Sequence, residues 1–224
     1  MSQKGFAIAI DGPAAAGKST IAKAIAAELG FVYVDTGALY RTIGYYAYGK
    51  IENTADADAV IALLPEIDLE LKYENGVQRI YLNGKDVSDA IRSPEMSMAA
   101  SNVSAIPKVR EFLLELQRKL ARENSVVMDG RDIGTVILPN ADCKFFLTAS
   151  AEERARRRQL EYKQKGQEVD FEKLLAETIQ RDYNDSHRAA APLKQAEDAV
   201  LIDSSNITLE QTIEKMIAIV KEKL

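Results

Sequence analysis

The chain has 224 residues, of which 46% are apolar, and a formal net charge of −5. This length suits one α/β domain with an insertion, and the apolar fraction suffices for a buried core, which excludes general disorder. No apolar run approaches the roughly 20 residues of a membrane span, and the acidic balance means that phosphate binding needs local clusters of cations. The single cysteine, Cys143, and the single histidine, His187, argue against disulfides and histidine-based metal sites. With no leader-like amino terminus, we expect a cytosolic protein.

Short apolar runs, which predict buried strands, alternate along the chain with longer segments that predict helices. The predicted strands are Phe6–Asp11, Phe31–Val34, Ser125–Met128, Lys144–Leu147 and Ala199–Ile202. The predicted helices are Gly17–Leu29, Val109–Arg122, Ala151–Gln164, Phe171–Arg188 and Leu209–Lys223. This alternation is typical of a parallel sheet covered by helices on both faces, with ligands bound at the carboxyl ends of the strands.

One stretch departs from this alternation. Ile67–Tyr73 has the period of two that predicts a half-buried strand, and Val77–Leu82 follows it. Asn75-Gly76 and Asn83-Gly84 are dipeptides that favour tight hairpin turns. We predict a small antiparallel β meander at 67–87, within an insertion at about 51–97 of a single domain whose core is 1–50 and 98–224.

A phosphate-binding motif follows the first predicted strand. The segment from Gly12 to Ser19 fits G-x-x-x-x-G-K-[ST] and leads directly into a predicted helix. In such a P-loop, backbone N–H groups converge on the phosphates and the helix amino end adds partial positive charge. Lys18 can reach the β- and γ-phosphates, and the Ser19 hydroxyl can bind Mg²⁺. The predicted ATP-binding residues are Gly12, Pro13, Ala14, Ala15, Ala16, Gly17, Lys18, Ser19 and Thr20.

A carboxylate near the Mg²⁺ is also expected. Asp129 follows a buried strand, where P-loop enzymes commonly place such a group, and Asp11 has the same relation to the first strand. Each is also followed by glycine, and an Asp-Gly pair can simply form a turn. We predict Ser19 and Asp129 as the metal-binding residues, with Asp11 as the alternative carboxylate.

The P-loop alone does not distinguish a kinase from a nucleotide-dependent switch. The N-K-x-D and D-x-x-G motifs of GTPase switches are not in the sequence, and Asp129 is not followed by the glutamate of a mechanical ATPase. Arginines in loops and at helix ends suit a phosphoryl transferase, which must neutralise a second phosphate. The sequence therefore favours a kinase and leaves the switch as an alternative.

Two charged helical segments are open to a simpler interpretation. Arg181, Asp185 and Arg188 have i, i+4, i+7 spacing, which places them on one face of a predicted helix. The segment 152–158 contains two glutamate–arginine pairs at i, i+4 spacing, as in ordinary exposed surface pairs. Spacing alone leaves a surface role and a ligand-binding role open for both.

Further motifs occur in order along nearly the whole chain. They are D-T-G-A-L-Y-R at 35–41, R-E at 110–111, D-G-R-D-I-G-T at 129–135, E-R-A-R-R-R at 153–158, and R-x-x-x-D-x-x-R with A-P-L at 181–193. With the P-loop and the meander, this set resembles the bacterial cytidylate kinase family. That family often has Ser-Gly where this chain has Ala14-Ala15, outside the fixed positions of the motif. The resemblance implies an α/β fold, namely a three-layer α/β/α P-loop sandwich with a central five-stranded parallel sheet and a small antiparallel β insertion.

The resemblance also implies roles for individual residues. Those expected to hold the CMP phosphate are Thr36, Arg41, Arg131 and Arg188. Those expected at cytosine are Ser101, Arg110 and Asp132, and those at the sugar are Arg181 and Asp185. A mobile lid over ATP would span about 150–170, and the catalytic residues would be Lys18, Arg131, Arg157, Arg158 and Arg188.

These features lead us to expect transfer of the γ-phosphoryl group of ATP to CMP, with dCMP as a second acceptor and Mg²⁺ required. A carboxylate suits the exocyclic amine of cytosine, and Arg or Ser suits its N3 and O2 acceptors, whereas uracil reverses two of these groups. We expect a monomer without nucleic-acid or membrane partners. Kinases of UMP or another small acceptor, and a non-catalytic switch, remain alternatives.

Overall fold

The computed structural model describes residues 5–74, 77–164 and 166–224 of the chain. The strands are β1 (Ala7–Asp11), β2 (Val32–Asp35), β3 (Leu69–Glu74), β4 (Val77–Leu82), β5 (Lys85–Asp86), β6 (Val126–Gly130), β7 (Cys143–Thr148) and β8 (Val200–Asp203). The α-helices are α1 (Lys18–Leu29), α2 (Thr36–Tyr48), α3 (Ala57–Leu63), α4 (Pro94–Ser104), α5 (Pro107–Glu123), α6 (Ala151–Gln164), α7 (Phe171–His187) and α8 (Leu209–Lys221). The chain divides into two compact units, unit 1 (residues 1–33 and 121–224) and unit 2 (residues 34–120).

Five strands form a sheet in the order β2-β6-β1-β7-β8. β1 is the central strand and pairs in parallel with β6 on one side and with β7 on the other. All five residues of β1 and of β6 are buried, as expected for strands covered on both faces. The α/β class with a five-stranded parallel sheet and a separate small antiparallel sheet is therefore confirmed.

One apolar face of the parallel sheet packs against α1 and α8. The cluster includes Ile8, Ile10, Ile21, Ile25, Val127, Phe145, Leu147, Ile202, Met216 and Val220. Full burial of each large side chain contributes about 1.5–3 kcal/mol. This packing holds β1 and α1 together, and the phosphate-binding motif is the loop that connects them.

In unit 2, β3, β4 and β5 form the predicted antiparallel meander. Asn83 and Gly84 have φ angles of 50° and 77°, the left-handed pair that the Asn-Gly signal predicts for a tight hairpin. The other predicted turn, at 75–76, lies outside the described residues.

Helices α2 and α4 cross closely in unit 2. A Cβ added to Gly44 of α2 would lie 2.9 Å from the backbone carbon of Ala99 in α4. Glycine at this point lets the two helix backbones approach more closely than any side chain allows.

The structure differs from the sequence analysis at several elements. Helices α2, α3 and α4 were not predicted, and α2 buries residues on more than one side, so it lacks a clear amphipathic period. β6 continues through Asp129 to Gly130, and an unpredicted π-helical turn occupies Ile133–Ile137. α7 ends at His187, so Arg188 is not on the helix face assigned to it, because its backbone is extended (φ −63°, ψ 142°).

Across the three described ranges, every helix is too short or too polar to cross a membrane.

Candidate active site

The loop between β1 and α1 has the conformation of a phosphate cradle. Gly12, Ala15 and Gly17 have φ angles of 149°, 58° and 90°. A Cβ on Gly12 would lie 1.9 Å from the carbonyl oxygen of Leu147, so only glycine fits there. Successive turns of this kind direct backbone N–H groups to one side, and α1 begins directly after the loop.

Lys18 is buried, and its ammonium donates a hydrogen bond to the Pro13 carbonyl at 2.7 Å. Burial lowers the pKa of Lys18 well below its usual range, and the charge of Arg131 lowers it further. The carboxylates of Asp129 and Asp11 oppose this lowering of the pKa. The lowered pKa therefore comes mainly from burial of the Lys18 ammonium, and a bound polyphosphate would add negative charge that favours its protonated form.

Ser19 and Asp129 lie together beside the P-loop. The Ser19 hydroxyl donates to Asp129 Oδ2 at 2.9 Å, and the Tyr33 hydroxyl donates to Asp129 Oδ1, also at 2.9 Å. Hydroxyl and carboxylate oxygens are the donors that Mg²⁺ prefers, and a nucleotide-bound Mg²⁺ needs only one or two of them from the protein. The described residues contain no cluster of three or more His, Cys, Asp or Glu side chains that could hold a metal ion without a nucleotide. This donor set therefore fits Mg²⁺ bound together with phosphates.

Asp11, the alternative carboxylate, faces different partners. Its two oxygens accept hydrogen bonds from the backbone N–H groups of Ile133 and Gly134, both at 2.7 Å. Burial raises the pKa of Asp11 to about 6, although these two hydrogen bonds oppose the shift. The Asp132 charge raises it further, and the Lys18 charge lowers it. The carboxylate thus anchors the π-helical turn that follows Asp132.

Gly134 is also packed closely against Lys144. A Cβ on Gly134 would lie 3.1 Å from Lys144 Cδ and 3.4 Å from Asp11 Oδ2. The Lys144 ammonium is fixed by the Pro139 carbonyl at 2.6 Å and by Asp198 at 2.8 Å. The π-helical turn is therefore in contact with both Asp11 and the Lys144 side chain, and π-helical turns are frequent at functional sites.

In unit 1, the segment after β6 forms ion pairs with α7 and with the residue that follows this helix. Arg131 Nε lies 2.8 Å from Asp185 Oδ2, and Arg188 Nη2 lies 3.4 Å from Asp132 Oδ1. Burial raises the pKa of Asp185, but the charges of Arg131, Arg181 and Arg188 outweigh this, so its pKa is below the usual value. Five of the predicted acceptor-site residues are thus brought together within unit 1.

Unit 2 holds the predicted residues of the D-T-G-A-L-Y-R motif at the amino end of α2. Asp35 caps the helix by accepting from the Ala38 N–H at 2.9 Å, and its other oxygen pairs with Arg41 at 2.8 Å. A Cβ on Gly37 would lie 3.1 Å from Arg41 Nη1, so the missing side chain leaves room for the guanidinium to reach Asp35. Thr36 is buried at the first position of the helix. The residues of this motif therefore contact one another at the amino end of α2.

Ser101 and Arg110 are linked through Ser104 in unit 2. The Ser104 hydroxyl donates to the Ser101 carbonyl at 2.9 Å, and Arg110 Nη1 donates to the Ser104 carbonyl at 3.3 Å. The Arg110 guanidinium also lies over the ring of Tyr40, 5.5 Å from its centroid. The two predicted cytosine contacts are therefore close neighbours, and Tyr40 orients one of them.

The arginines at the start of α6 have three different environments. Arg154 is buried and forms hydrogen bonds with residues outside the helix. Arg157 pairs with Glu153 at 3.0 Å, as the i, i+4 spacing predicted, and also donates to the Ser204 carbonyl at 2.8 Å. Arg158 lies over the Tyr162 ring at 5.9 Å. Arg157 is therefore held by the loop after β8 as well as by its own helix.

Sequence reasoning missed Tyr33, Tyr40 and Asp182, which shape these arrangements, and it placed Arg154 in the lid segment without its contacts to other elements. Tyr33 and Tyr40 lie within or next to segments already identified, so an aromatic hydroxyl or ring beside a motif was the available signal. Arg154 and Asp182 lie 28 positions apart, and nothing in the sequence pattern relates them.

Comparisons with known proteins agree with this geometry. The family model described as "Cytidylate kinase" matches residues 8–222. The chain is 50% identical to a cytidylate kinase from Caldicellulosiruptor bescii, over 94% of this chain and 93% of that protein. It is 48% identical to one from Geobacter sulfurreducens, over 99% and 95% of the two chains. An uncharacterized protein from Eubacterium ventriosum, of known crystal structure, shares the fold with a TM-score of 0.54 at 12% identity, covering 96% of this chain and 98% of that one.

Proposed function

This chain belongs to the cytidylate kinase family, and we propose that it transfers the γ-phosphoryl group of ATP to CMP, and also to dCMP. The observation that supports transfer most directly is the P-loop, where the Lys18 ammonium donates to the Pro13 carbonyl at 2.7 Å and Ser19 donates to Asp129 at 2.9 Å. The charges of Arg131 and Asp129 both act on the Lys18 ammonium. A P-loop lysine with an additional arginine suits a reaction that brings two phosphate groups together.

In the proposed reaction, a phosphate oxygen of CMP forms a bond to the γ-phosphorus of ATP as the bond to the β-phosphate oxygen breaks. The attacking oxygen is already an anion, so no strong general base is required. The contribution of the protein is positioning and neutralisation of charge. Lys18 and the P-loop N–H groups would hold the ATP phosphates, while Arg131 and Arg188 would hold the CMP phosphate.

Ser19 and Asp129 would hold Mg²⁺ in this scheme. When bound, the ion offsets negative charge on the ATP phosphates. Tyr33 donates to the second Asp129 oxygen and thereby fixes the carboxylate beside Ser19. That Ser19 lies at the exposed start of α1 supports its access to a nucleotide-bound ion.

Cytosine recognition by Ser101, Arg110 and Asp132 is part of the same proposal. Asp132 is 3% exposed and would accept a hydrogen bond from the cytosine amine. The Tyr40 ring and the Ser104 carbonyl hold Arg110 in place, which suits a donor aimed at base acceptors. Thr36 and Arg41 are proposed at the phosphate, Arg181 and Asp185 at the sugar, and Arg157 and Arg158 in a lid over ATP.

We further propose that the protein acts in the cytosol as a monomer without nucleic-acid partners. The unpaired Cys143 thiol is buried in the sheet, and burial raises its pKa, so the thiol is unreactive and suits a reducing compartment. The net charge of −5 disfavours binding to nucleic acids.

An acceptor panel tests the proposed activity. ADP release would be measured in a coupled assay with Mg²⁺-ATP and, in turn, CMP, dCMP, UMP, AMP, GMP and no acceptor. We expect the highest kcat/KM with CMP, followed by dCMP. A preference for UMP would indicate the related kinase, and slow turnover independent of the acceptor would indicate a switch.

The variant Lys18→Ala tests the role of the P-loop lysine in this reaction. It should lower kcat with CMP by several orders of magnitude, roughly 100-fold or more, while the fold remains intact, since the ammonium meets charge that develops during transfer. Circular dichroism would establish folding. Near-normal turnover in a folded Lys18→Ala protein would contradict the phosphotransferase assignment.

A further inference from the structure

Arg154 is the most deeply buried arginine at the start of α6. It is 4% exposed, although a buried guanidinium is costly unless it is paired and hydrogen-bonded. Its Nε donates to the Ala149 carbonyl at 2.9 Å, which fixes the side chain to the segment between β7 and α6. Arg154 is buried and makes directed hydrogen bonds. It therefore differs from an arginine that is exposed to solvent and closes over a ligand.

The Nη1 atom of Arg154 reaches the P-loop. It donates to the Ala14 carbonyl at 3.1 Å across 140 positions of sequence. Ala14 precedes Ala15, which has a φ of 58°, a conformation that costs roughly 1 kcal/mol or more for a residue with a side chain. The bond from Arg154, which lies outside the loop, therefore acts on the peptide next to the strained residue Ala15.

The bond to the Ala14 carbonyl has a directional consequence for the loop. The peptide unit is planar and trans, so the carbonyl of Ala14 and the N–H of Ala15 point in opposite directions. Arg154, by fixing the carbonyl, fixes the direction of that N–H. N–H groups of this loop are the donors expected to contact phosphate oxygens.

The carboxylate of Asp182, in α7, also binds the Arg154 guanidinium. Arg154 Nη1 lies 3.0 Å from Asp182 Oδ1, and Arg154 Nη2 bonds to Asp182 Oδ2, so the pair is bidentate. Two parallel bonds fix the plane of the guanidinium as well as its position. Arg154 is thus held by Ala149 and Asp182 while one nitrogen contacts the P-loop.

We propose that Arg154 is a positioning residue for ATP, which holds the Ala14–Ala15 peptide in its phosphate-binding orientation while Asp182 anchors the guanidinium. The proposal rests on the proposed function, in which the P-loop binds ATP. It assigns to Arg154 a role separate from the lid arginines Arg157 and Arg158. The simpler alternative is that the pair only joins α6 to α7 and contributes to stability.

Arg154→Lys tests the proposal, because lysine keeps the charge and loses the planar, forked geometry. Titration calorimetry would measure the Kd of Mg²⁺-ATP without CMP, and steady-state kinetics would measure kcat and both KM values. We expect the Kd and KM for ATP to rise about ten-fold or more, as for loss of a charged hydrogen bond. The KM for CMP should change less than three-fold.

Asp182→Asn is the second variant, since it keeps the shape and removes the charge. It should raise the Kd for ATP in the same direction. The double variant should bind ATP no more weakly than Arg154→Lys alone, because both changes act through one contact. Arg122→Lys, the same chemical change at an exposed arginine of α5, is the matched control and should leave every constant unchanged.

Thermal unfolding separates positioning from stability alone. If Arg154→Lys and Asp182→Asn lower Tm but bind ATP with the wild-type Kd at 25 °C, the proposal is wrong. If Arg154→Lys does not fold, Asp182→Asn decides by the same criterion. Failure of the proposed function would be distinguishable, since the wild type would then bind ATP without phosphorylating CMP.

Discussion

Each of two arginines expected at the acceptor phosphate has a carboxylate partner in unit 1. Arg131 pairs with Asp185, and Arg188 pairs with Asp132. Pairing with a carboxylate fixes the orientation of a buried guanidinium and offsets part of the cost of burying its charge. Removal of either carboxylate should therefore weaken binding of any nucleoside monophosphate, and only a contact with the base should change the choice among them.

Asp132→Ala should consequently alter specificity as well as activity. Loss of a charged partner for the cytosine amine should lower kcat/KM for CMP by about 30- to 1,000-fold, whereas UMP, which lacks that amine, should be affected far less. Asp132 also pairs with Arg188, which is proposed at the phosphate. Loss of this pair should lower kcat/KM equally for CMP and UMP, so it cancels in the ratio of the two values. The measurement is kcat/KM for CMP and UMP in wild type and variant.

Asp185→Ala supplies the control for this experiment. Its carboxylate pairs with Arg131, and its proposed contact is with the sugar that CMP and UMP share. Both acceptors should therefore lose activity equally. A CMP-to-UMP ratio that is unchanged in Asp132→Ala would show that Asp132 does not contact the base.

The raised pKa of Asp11 predicts a dependence of stability on pH. In the folded state this pKa is about 6, against 3.8 for an unshifted aspartate. The folded protein therefore binds the Asp11 proton more tightly than the unfolded protein does. The stability that this bound proton contributes is complete below about pH 4 and is lost as the pH rises through 6. The difference corresponds to roughly 3 kcal/mol.

Asp11→Asn isolates this contribution. We expect the free energy of unfolding of the wild type, relative to that of Asp11→Asn, to fall by about 2–2.5 kcal/mol between pH 4 and pH 7. Urea unfolding of both proteins across this range is the measurement. Groups far from Asp11 cancel in the difference, whereas Asp132 and Lys18 interact with the Asp11 charge and remain part of its effect. Parallel stability curves would contradict the shift.

At the scale of elements, the close crossing of α2 and α4 in unit 2 requires a glycine. A Cβ added to Gly44 would lie 2.9 Å from the backbone carbon of Ala99 and 3.0 Å from the backbone nitrogen of Ala100. Overpacking of a tight contact forces backbone movement, which typically costs 1–3 kcal/mol. The gain in helix propensity from alanine is about 1 kcal/mol, so the steric effect should prevail where backbone opposes the new methyl group.

Gly44→Ala should accordingly destabilise the protein by about 1–2 kcal/mol net of helix propensity. Gly49→Ala is the matched control, since Gly49 ends the same helix with a φ of −77° and its added Cβ would meet nothing closer than 3.7 Å. Chemical unfolding of both variants gives the comparison. Equal stability of the two variants would mean that α2 and α4 can move apart without cost.

At the scale of the whole molecule, patterns with a clear period predicted the fold well. The strands of the parallel sheet and α1, α5, α7 and α8 were found because each has a continuous apolar run or a single apolar face. Helix α6 was predicted without such a face, since its buried residues are Arg154 and Ala155. Helix α2 was missed because it is buried on several sides, and the turn at Ile133–Ile137 was missed because its conformation depends on Asp11, 122 positions earlier. The motif residues were identified by resemblance, whereas the link from Arg154 to Asp182 required coordinates.

The position of β1 has a consequence for synthesis on the ribosome. Phe6, at the start of this strand, bonds to Ser125, 119 positions later, and β1 has its sheet neighbours only in β6 and β7. At about 5–20 residues per second, the nascent first strand waits roughly 6–24 s for its partners. Unit 2 is one continuous stretch that is complete before then. The apolar segment that carries the P-loop is therefore the part of the nascent chain most in need of a chaperone.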